Sequence, residues 1–189
     1  LNASSITKIY GAEPGLDMHL ALKETAQVAG LGDKYQILPC GGERKSLLPA
    51  LAKAGLLKES GGEVKEEAIF DTIICIRVLC SVPNPESSLS TLYSLLRPGG
   101  RFIICEHVIN DWRTPKGSIL GRAFQVLYTL LGWPFFVGDC RMDRDTATLL
   151  KQIGDVDGGW ESVELDKKME WSVLPFTTGV YVRKGTGKT

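Results

Sequence analysis

Several residues with useful chemistry stand directly after short apolar runs, where the chain would leave a β-strand. Ile9 and Tyr10 belong to one such run, which ends at Glu13-Pro14-Gly15, and Tyr35-Gln36-Ile37-Leu38 leads into Pro39-Cys40-Gly41-Gly42-Glu43. Residues 70–76 are followed by Arg77 and Val78, and residues 101–105 by Glu106 and His107. In an open α/β sheet, ligands bind outside the carboxyl ends of the strands, at the point where strand order reverses. A carboxylate placed there can accept two hydrogen bonds from a ribose diol, which makes Glu13, with Pro14 beside it, a candidate for a nucleotide-like cofactor. Gly41 and Gly42 would let the backbone approach a planar ring, and Glu43 could accept from its amino group. Arg77 and Val78 would face another part of the same cofactor, and Glu106 and His107 lie nearest to where a substrate nucleophile would sit. Each position has a plainer alternative: an exposed acid before a Pro-Gly turn, a flexible turn at Gly42 and Glu43, a buried or ion-paired Arg77, and a hydrogen-bonded Glu106–His107 pair.

The elements that must position these residues follow from the hydrophobic pattern. Asp17 is the expected N-cap of a helix with Met18, Leu20, Leu22, Ala26 and Ala29 on its apolar face, stopped by Gly30 and Gly32. Residues 45–57 form a second amphipathic segment with Pro49 near its first turn, and residues 58–67 a polar connection with no assigned role. Asn84 and Pro85 supply an N-cap and a first helical position, and Leu89, Leu92, Tyr93 and Leu96 recur at helical spacing. Leu96-Arg97-Pro98-Gly99-Gly100 then turns the chain into residues 101–105, an apolar strand expected to be buried on both faces. Strand, helix and neighbouring strand favour a parallel right-handed crossover, so the fold class is α/β with a doubly wound, Rossmann-like sheet. Asp143 is the expected cap of a helix over 144–153, and residues 161–165 and 177–182 close the sheet as a hairpin-like pair. The whole is read as a single domain over residues 1–189.

Composition excludes some functions. At 189 residues with 43% hydrophobic content, the chain has the make-up of a globular domain. Its 22 Lys and Arg are matched by 22 Asp and Glu, which leaves no basic footprint for nucleic acid and favours a small or uncharged substrate. The five cysteines contain no C-x-x-C pair, so their spacing supports neither a metal site nor a disulfide framework, and reduced intracellular thiols are expected. Leu1 is not an initiator methionine, and the residues after it lack the basic start and apolar core of a signal peptide. The expected location is cytoplasmic, or peripheral on an intracellular membrane, and not secreted.

Residues 112–138 hold Trp112, Phe124, Tyr128, Trp133, Phe135 and Phe136, with Arg113, Lys116 and Arg122 as the only charges. The uncharged run over 123–138 is shorter than the ~20 apolar residues a membrane span needs. Residues 111–138 are therefore read as a lid or substrate-facing insertion of about three helical turns and a loop, with peripheral membrane contact as the alternative. Core packing is expected to account for more than half of the aromatic rings.

Together, Tyr10-Gly11-Ala12-Glu13-Pro14 with Asp17-Met18, Val78-Leu79-Cys80-Ser81-Val82, Leu96-Arg97-Pro98-Gly99-Gly100, Glu106-His107-Val108, and Gly138-Asp139-Cys140 with Arg144 cover most of the chain. This set resembles class I S-adenosylmethionine-dependent methyltransferases of the small-molecule group, akin to ubiquinone- and menaquinone-biosynthesis enzymes and membrane-associated thiol methyltransferases. The resemblance implies S-adenosylmethionine as cofactor, its ribose on Glu13, its adenine side on Gly42 and Glu43, and Arg77 and Val78 against it. The aromatic-rich segment over 112–136 suggests a small, hydrophobic methyl acceptor, which Glu106, by its place at a strand end, and Trp112 are expected to face, and the Gly138-Asp139-Cys140 stretch resembles part of the substrate wall, with Cys140 facing the acceptor. Methyl transfer from a sulfonium is a direct displacement in which the protein aligns the partners and excludes water. A base is needed only for a protonated nucleophile, and His107 and Asp139 are the candidates. Cys140 is not expected to act as a nucleophile.

The chain departs from that group in one respect. Its members carry a first strand, central in the sheet between the second and fourth, that ends in a Gly-x-Gly loop where a side chain would fill cofactor space. Gly11, Gly15, Gly41 and Gly42 do not occupy that position. An N-terminally truncated fragment is therefore expected, with two uncovered strand edges and its own activity in question. Two rival readings are a non-catalytic Rossmann-like interaction domain and an NAD-dependent oxidoreductase, although no Tyr-x-x-x-Lys pair occurs.

Overall fold

A computed structural model describes residues 3–185, so Leu1 and Asn2 lie outside the described residues. Contacts divide the chain into two compact units, residues 1–66 and 67–189, with the boundary in the polar stretch read from sequence as a surface connection.

The first unit contains β1 (Ile9–Ala12), α1 (His19–Val28), β2 (Tyr35–Leu38), α2 (Arg44–Lys53) and a small hairpin, β3 (Glu59–Ser60) and β4 (Glu63–Val64). β1 and β2 run parallel with Ala12 opposite Leu38, as a strand–helix–strand order requires. The hairpin was not expected; Gly61 and Gly62, at φ 64° and 82°, supply the left-handed pair that closes a two-residue turn. Asp17 does not cap α1. The chain first makes a 3-10 turn at Leu16–Met18, and the position before α1 is Met18, with no side-chain cap bond. Pro49 lies inside α2 rather than in its first turn.

The second unit contains β5 (Phe70–Ile76), α3 (Pro85–Leu95), β6 (Leu96–His107), α4 (Ile119–Leu130), α5 (Trp133–Phe136), α6 (Thr146–Gly154), β7 (Trp160–Lys168) and β8 (Phe176–Arg183). The sheet order is β5-β6-β8-β7. β5 and β6 are parallel and β8 is antiparallel to both β6 and β7, so three strands share a direction and the C-terminal strand is reversed. α3 starts where its sequence indicates: Asn84 Oδ1 accepts from the Ser87 N–H at 3.0 Å, and Pro85 fills the first position, where a missing N–H costs nothing. α6 is capped by Asp145, which accepts from the Thr148 N–H at 3.1 Å, and not by Asp143.

The Arg-Pro-Gly-Gly segment is a bulge inside β6 rather than a free turn. Leu96 already pairs with Phe70, and the ladder resumes with Thr72 opposite Arg101, leaving residues 97–100 looped out, with Gly99 at φ 76°. Beyond the bulge, β6 alternates. Phe102, Ile104 and Glu106 are buried, whereas Ile103, Cys105 and His107 are half-buried. The core joins Ile73, Cys75, Phe102, Ile104 and Tyr181 of the sheet to Leu89 of α3 and Leu150 of α6. Burial on both faces is thus corrected: α3 and α6 cover one face of this unit's sheet, and on the other Ile74 and Ile76 stay 44% and 55% exposed.

Residues 111–138 form the expected three-turn helix α4 and the short α5, but the packing differs from expectation. Phe135 and Phe136 are 84% and 78% exposed, and Trp112, Phe124 and Tyr128 about two-fifths exposed, so core packing does not claim most of these rings. Of α4, only Gly121 and Gln125 are buried. The helix is held by amides instead. Gln125 accepts from the Asn110 N–H at 2.9 Å and donates to the carbonyls of Val108 and Val173; Asn110 donates to those of Glu170 and Ser172 and accepts from the Ser118 N–H. Among the described residues, no helix is long and apolar enough to cross a membrane.

Candidate functional site

In the first unit, Glu13 and Glu43 follow the two parallel strands and so stand at the same, carboxyl, end of the pair. The Glu13 N–H donates to the Leu38 carbonyl at 3.0 Å, continuing the ladder into the turn. Its carboxylate is braced by the Gly15 N–H at 2.7 Å, while His19 Nε2 lies 2.9 Å from its backbone oxygen. Burial, and then the Glu13 charge, raise the Tyr35 phenol above its ordinary range. Pro14 is exposed and Gly42 half-buried. A Cβ at Gly41 would collide with the Glu43 carboxylate, so glycine there makes room for Glu43 itself. The Gly41 N–H donates to Ser46 Oγ at 2.9 Å.

In the second unit, β5 and β6 also end side by side, with the Arg77 N–H on the Cys105 carbonyl at 2.8 Å. Arg77 takes φ 53°, a left-handed conformation that a non-glycine residue seldom adopts. Its side chain is exposed, as is Val78, so the buried alternative for Arg77 does not hold.

After Arg77 the chain passes over the end of β6, where Glu106 receives it. Oε1 accepts from the N–H groups of Val78 (3.0 Å) and Leu79 (3.1 Å), and Oε2 from Cys80 (3.3 Å). Glu106 is 0% exposed. The expectation that it faces the acceptor is corrected: strand alternation puts it on the buried face with Phe102 and Ile104, where it pins a loop. Burial raises its pKa, outweighing the three N–H groups and Arg144, which lower it.

His107 points the other way, and its bonding partner is not Glu106. Its Nδ1 is 3.7 Å from Cys140 Sγ, and its ring lies 4.4 Å from that of Phe176. Burial, and then the Arg77 guanidinium, hold the imidazole below its ordinary range, so it is neutral at pH 7 and has a lone pair to offer. Asp139 is exposed and bonds through its N–H to the Pro134 carbonyl at 2.7 Å; it does not join His107. Its φ of 59°, after Gly138 at 57°, makes the bend that precedes the buried Cys140. Trp112 stacks with Arg113, 5.0 Å from the guanidinium carbon to the ring centroid.

Cys80, which the strand-end reasoning passed over, completes the group: the ligand atoms of Cys80, His107 and Cys140 all lie within 4.8 Å of one another. Burial is the main cause that pushes the Cys80 thiol up to about 12. The backbone around it is fixed by the Arg141 N–H on the Cys80 carbonyl at 2.9 Å and by Arg144 Nη1 on the Leu79 carbonyl at 2.5 Å.

Two parallel strand pairs and a reversed last strand give a Rossmann-like α/β fold. The chain matches the methyltransferase domain family over residues 6–152 and belongs to it. It is 30% identical over 115 residues to thiol S-methyltransferase TMT1B of Mus musculus, covering 58% of this chain and 39% of that protein. To thiol S-methyltransferase TMT1A of Homo sapiens it is 38% identical over 61 residues, 31% of this chain and 25% of that one. The matched stretches thus span well under half the length of these relatives. In fold, the chain is similar to a geranyl diphosphate methyltransferase solved with S-adenosylmethionine, at a TM-score of 0.56 and 9% identity, covering 93% of this chain and 68% of the other. The family match decides between methyltransferase and oxidoreductase in favour of the former.

Proposed function

We propose that the protein transfers a methyl group from S-adenosylmethionine to the sulfur of a small, hydrophobic thiol. The observation that carries the choice of acceptor is the similarity to the two thiol S-methyltransferases. The geometry agrees with it. A thiol arrives mostly protonated at neutral pH, its ordinary pKa being roughly 8.5. The neutral His107 can accept that proton, whereas exposed Asp139 is poorly placed to do so. The sulfur lone pair then attacks the methyl carbon as the carbon–sulfonium bond breaks, leaving S-adenosylhomocysteine, a methyl thioether and a protonated imidazole. In the first unit Glu13 would receive the ribose, and Gly42 and Glu43 the adenine side; in the second, the exposed apolar residues of 111–138 would meet the acceptor or a membrane surface that presents it.

The cofactor's methionine end needs a glycine loop. Among the described residues, β1 has a strand partner only in β2, and β5 only in β6. Incubating the full-length gene product with methyl-labelled S-adenosylmethionine and equal amounts of a hydrophobic thiol, a phenol and an amine should label the sulfur. Label on oxygen or nitrogen instead would overturn the acceptor, and no labelled product at all would favour the non-catalytic reading.

A further inference from the structure

We propose that Cys80, His107 and Cys140 form a binding site for a borderline-soft divalent cation, best matched by Zn2+. Two sulfurs and one imidazole nitrogen are the donor set this ion takes, with water as a fourth ligand where three come from protein. Zinc–sulfur bonds of about 2.3 Å and zinc–nitrogen bonds of about 2.0–2.1 Å in a tetrahedron put neighbouring ligand atoms roughly 3.4–3.8 Å apart. His107 Nδ1 and Cys140 Sγ already stand at 3.7 Å. The remaining pairs, within 4.8 Å, need a contraction on the order of 1 Å to reach that spacing.

The ligands are also held from behind, as a built site requires. Glu106 holds the loop 78–80 through three N–H groups, one of them that of Cys80, the Arg141 N–H ties the Cys140 segment to the Cys80 carbonyl, and Phe176 lies against the His107 ring. Cys80 and Cys140 are buried and His107 half-buried, which limits competition by bulk water. Binding replaces the two thiol protons, which pass to solvent, so two thiolates balance the 2+ charge and the buried complex is neutral. The His107 lone pair cannot serve twice. Zinc loading therefore silences His107 as a proton acceptor.

The full-length gene product, expressed with zinc and dialysed, is expected to retain zinc by elemental analysis, and with Co2+ to show thiolate-to-metal charge-transfer bands. Cys80→Ser, Cys140→Ser and His107→Phe should each lose the metal, His107→Cys should keep it, and Cys105→Ser, outside the group, should behave as wild type. Circular dichroism reports whether each variant is folded. Wild-type protein with no retained zinc, a Cys80–Cys140 disulfide in its place, or equal loss in Cys105→Ser would overturn the site.

Discussion

Replacing Glu106 by leucine is expected to destabilise the second unit by about 3–5 kcal/mol, with Cys80 losing its fixed position. Three N–H groups lose their acceptor at once, those of Leu79 and Cys80 buried and that of Val78 part-buried. Each unpaired buried donor costs about 1–3 kcal/mol, and relief of the buried charge offsets part of the sum. Glu106→Gln should be milder, because its amide oxygen can still accept from Val78 and Leu79 while its NH2 opposes the Cys80 N–H. The two changes also differ in pH dependence. The folded-state pKa of Glu106 is raised above its ordinary 4.5, so between those values the folded chain binds more protons than the unfolded one. The stability this contributes is complete below the ordinary value and is lost as pH rises through the raised one. Urea midpoints measured from acid to neutral pH should fall with pH more steeply in wild type than in Glu106→Gln; identical slopes would count against a raised pKa.

Gln125→Leu is expected to cost about 2–4 kcal/mol although leucine matches the residue in size. Gln125 is 1% exposed, and its amide serves the Asn110 N–H and the carbonyls of Val108 and Val173. Leucine would take the amide partner away from all three groups, two of the bonds being buried and that to Val173 part-buried. With so little of α4 buried, no apolar contact replaces the amide, and hydrogen exchange in α4 should accelerate selectively. Leu130→Ala, at a position 79% exposed, should change stability by less than about 0.5 kcal/mol. Comparable denaturation midpoints for the two variants would show that α4 is not held by its amides.

What the sequence discloses here is local. Asn84 and Pro85 mark the start of α3 because cap and first-position chemistry act within a few residues, and Tyr35–Leu38 and the closing strand pair are legible from β-prone composition and turns. The burial of Glu106 is not legible because Ile103 and Cys105 are apolar too, so β6 shows no clean alternation, and its phase follows only once Phe102 is known to face α3 and α6. The bulge at residues 97–100 read as a turn because Pro-Gly-Gly is compatible with both. Asp17 lost the capping role to a 3-10 turn that moved the helix start, and Asp143 to Asp145. Phe135 and Phe136 are apolar whether packed or exposed, which composition alone does not distinguish. Cys80, His107 and Cys140 are separated by long stretches of chain, and only the tertiary fold brings them together.

Calorimetric titration of the full-length gene product with S-adenosylmethionine tests most directly whether the strand-end residues hold the cofactor. Binding that Glu13→Ala weakens roughly 10- to 100-fold, as loss of charge-assisted bonds to a ribose diol requires, is the expected result. Equal affinity in the wild type and Glu13→Ala would contradict it.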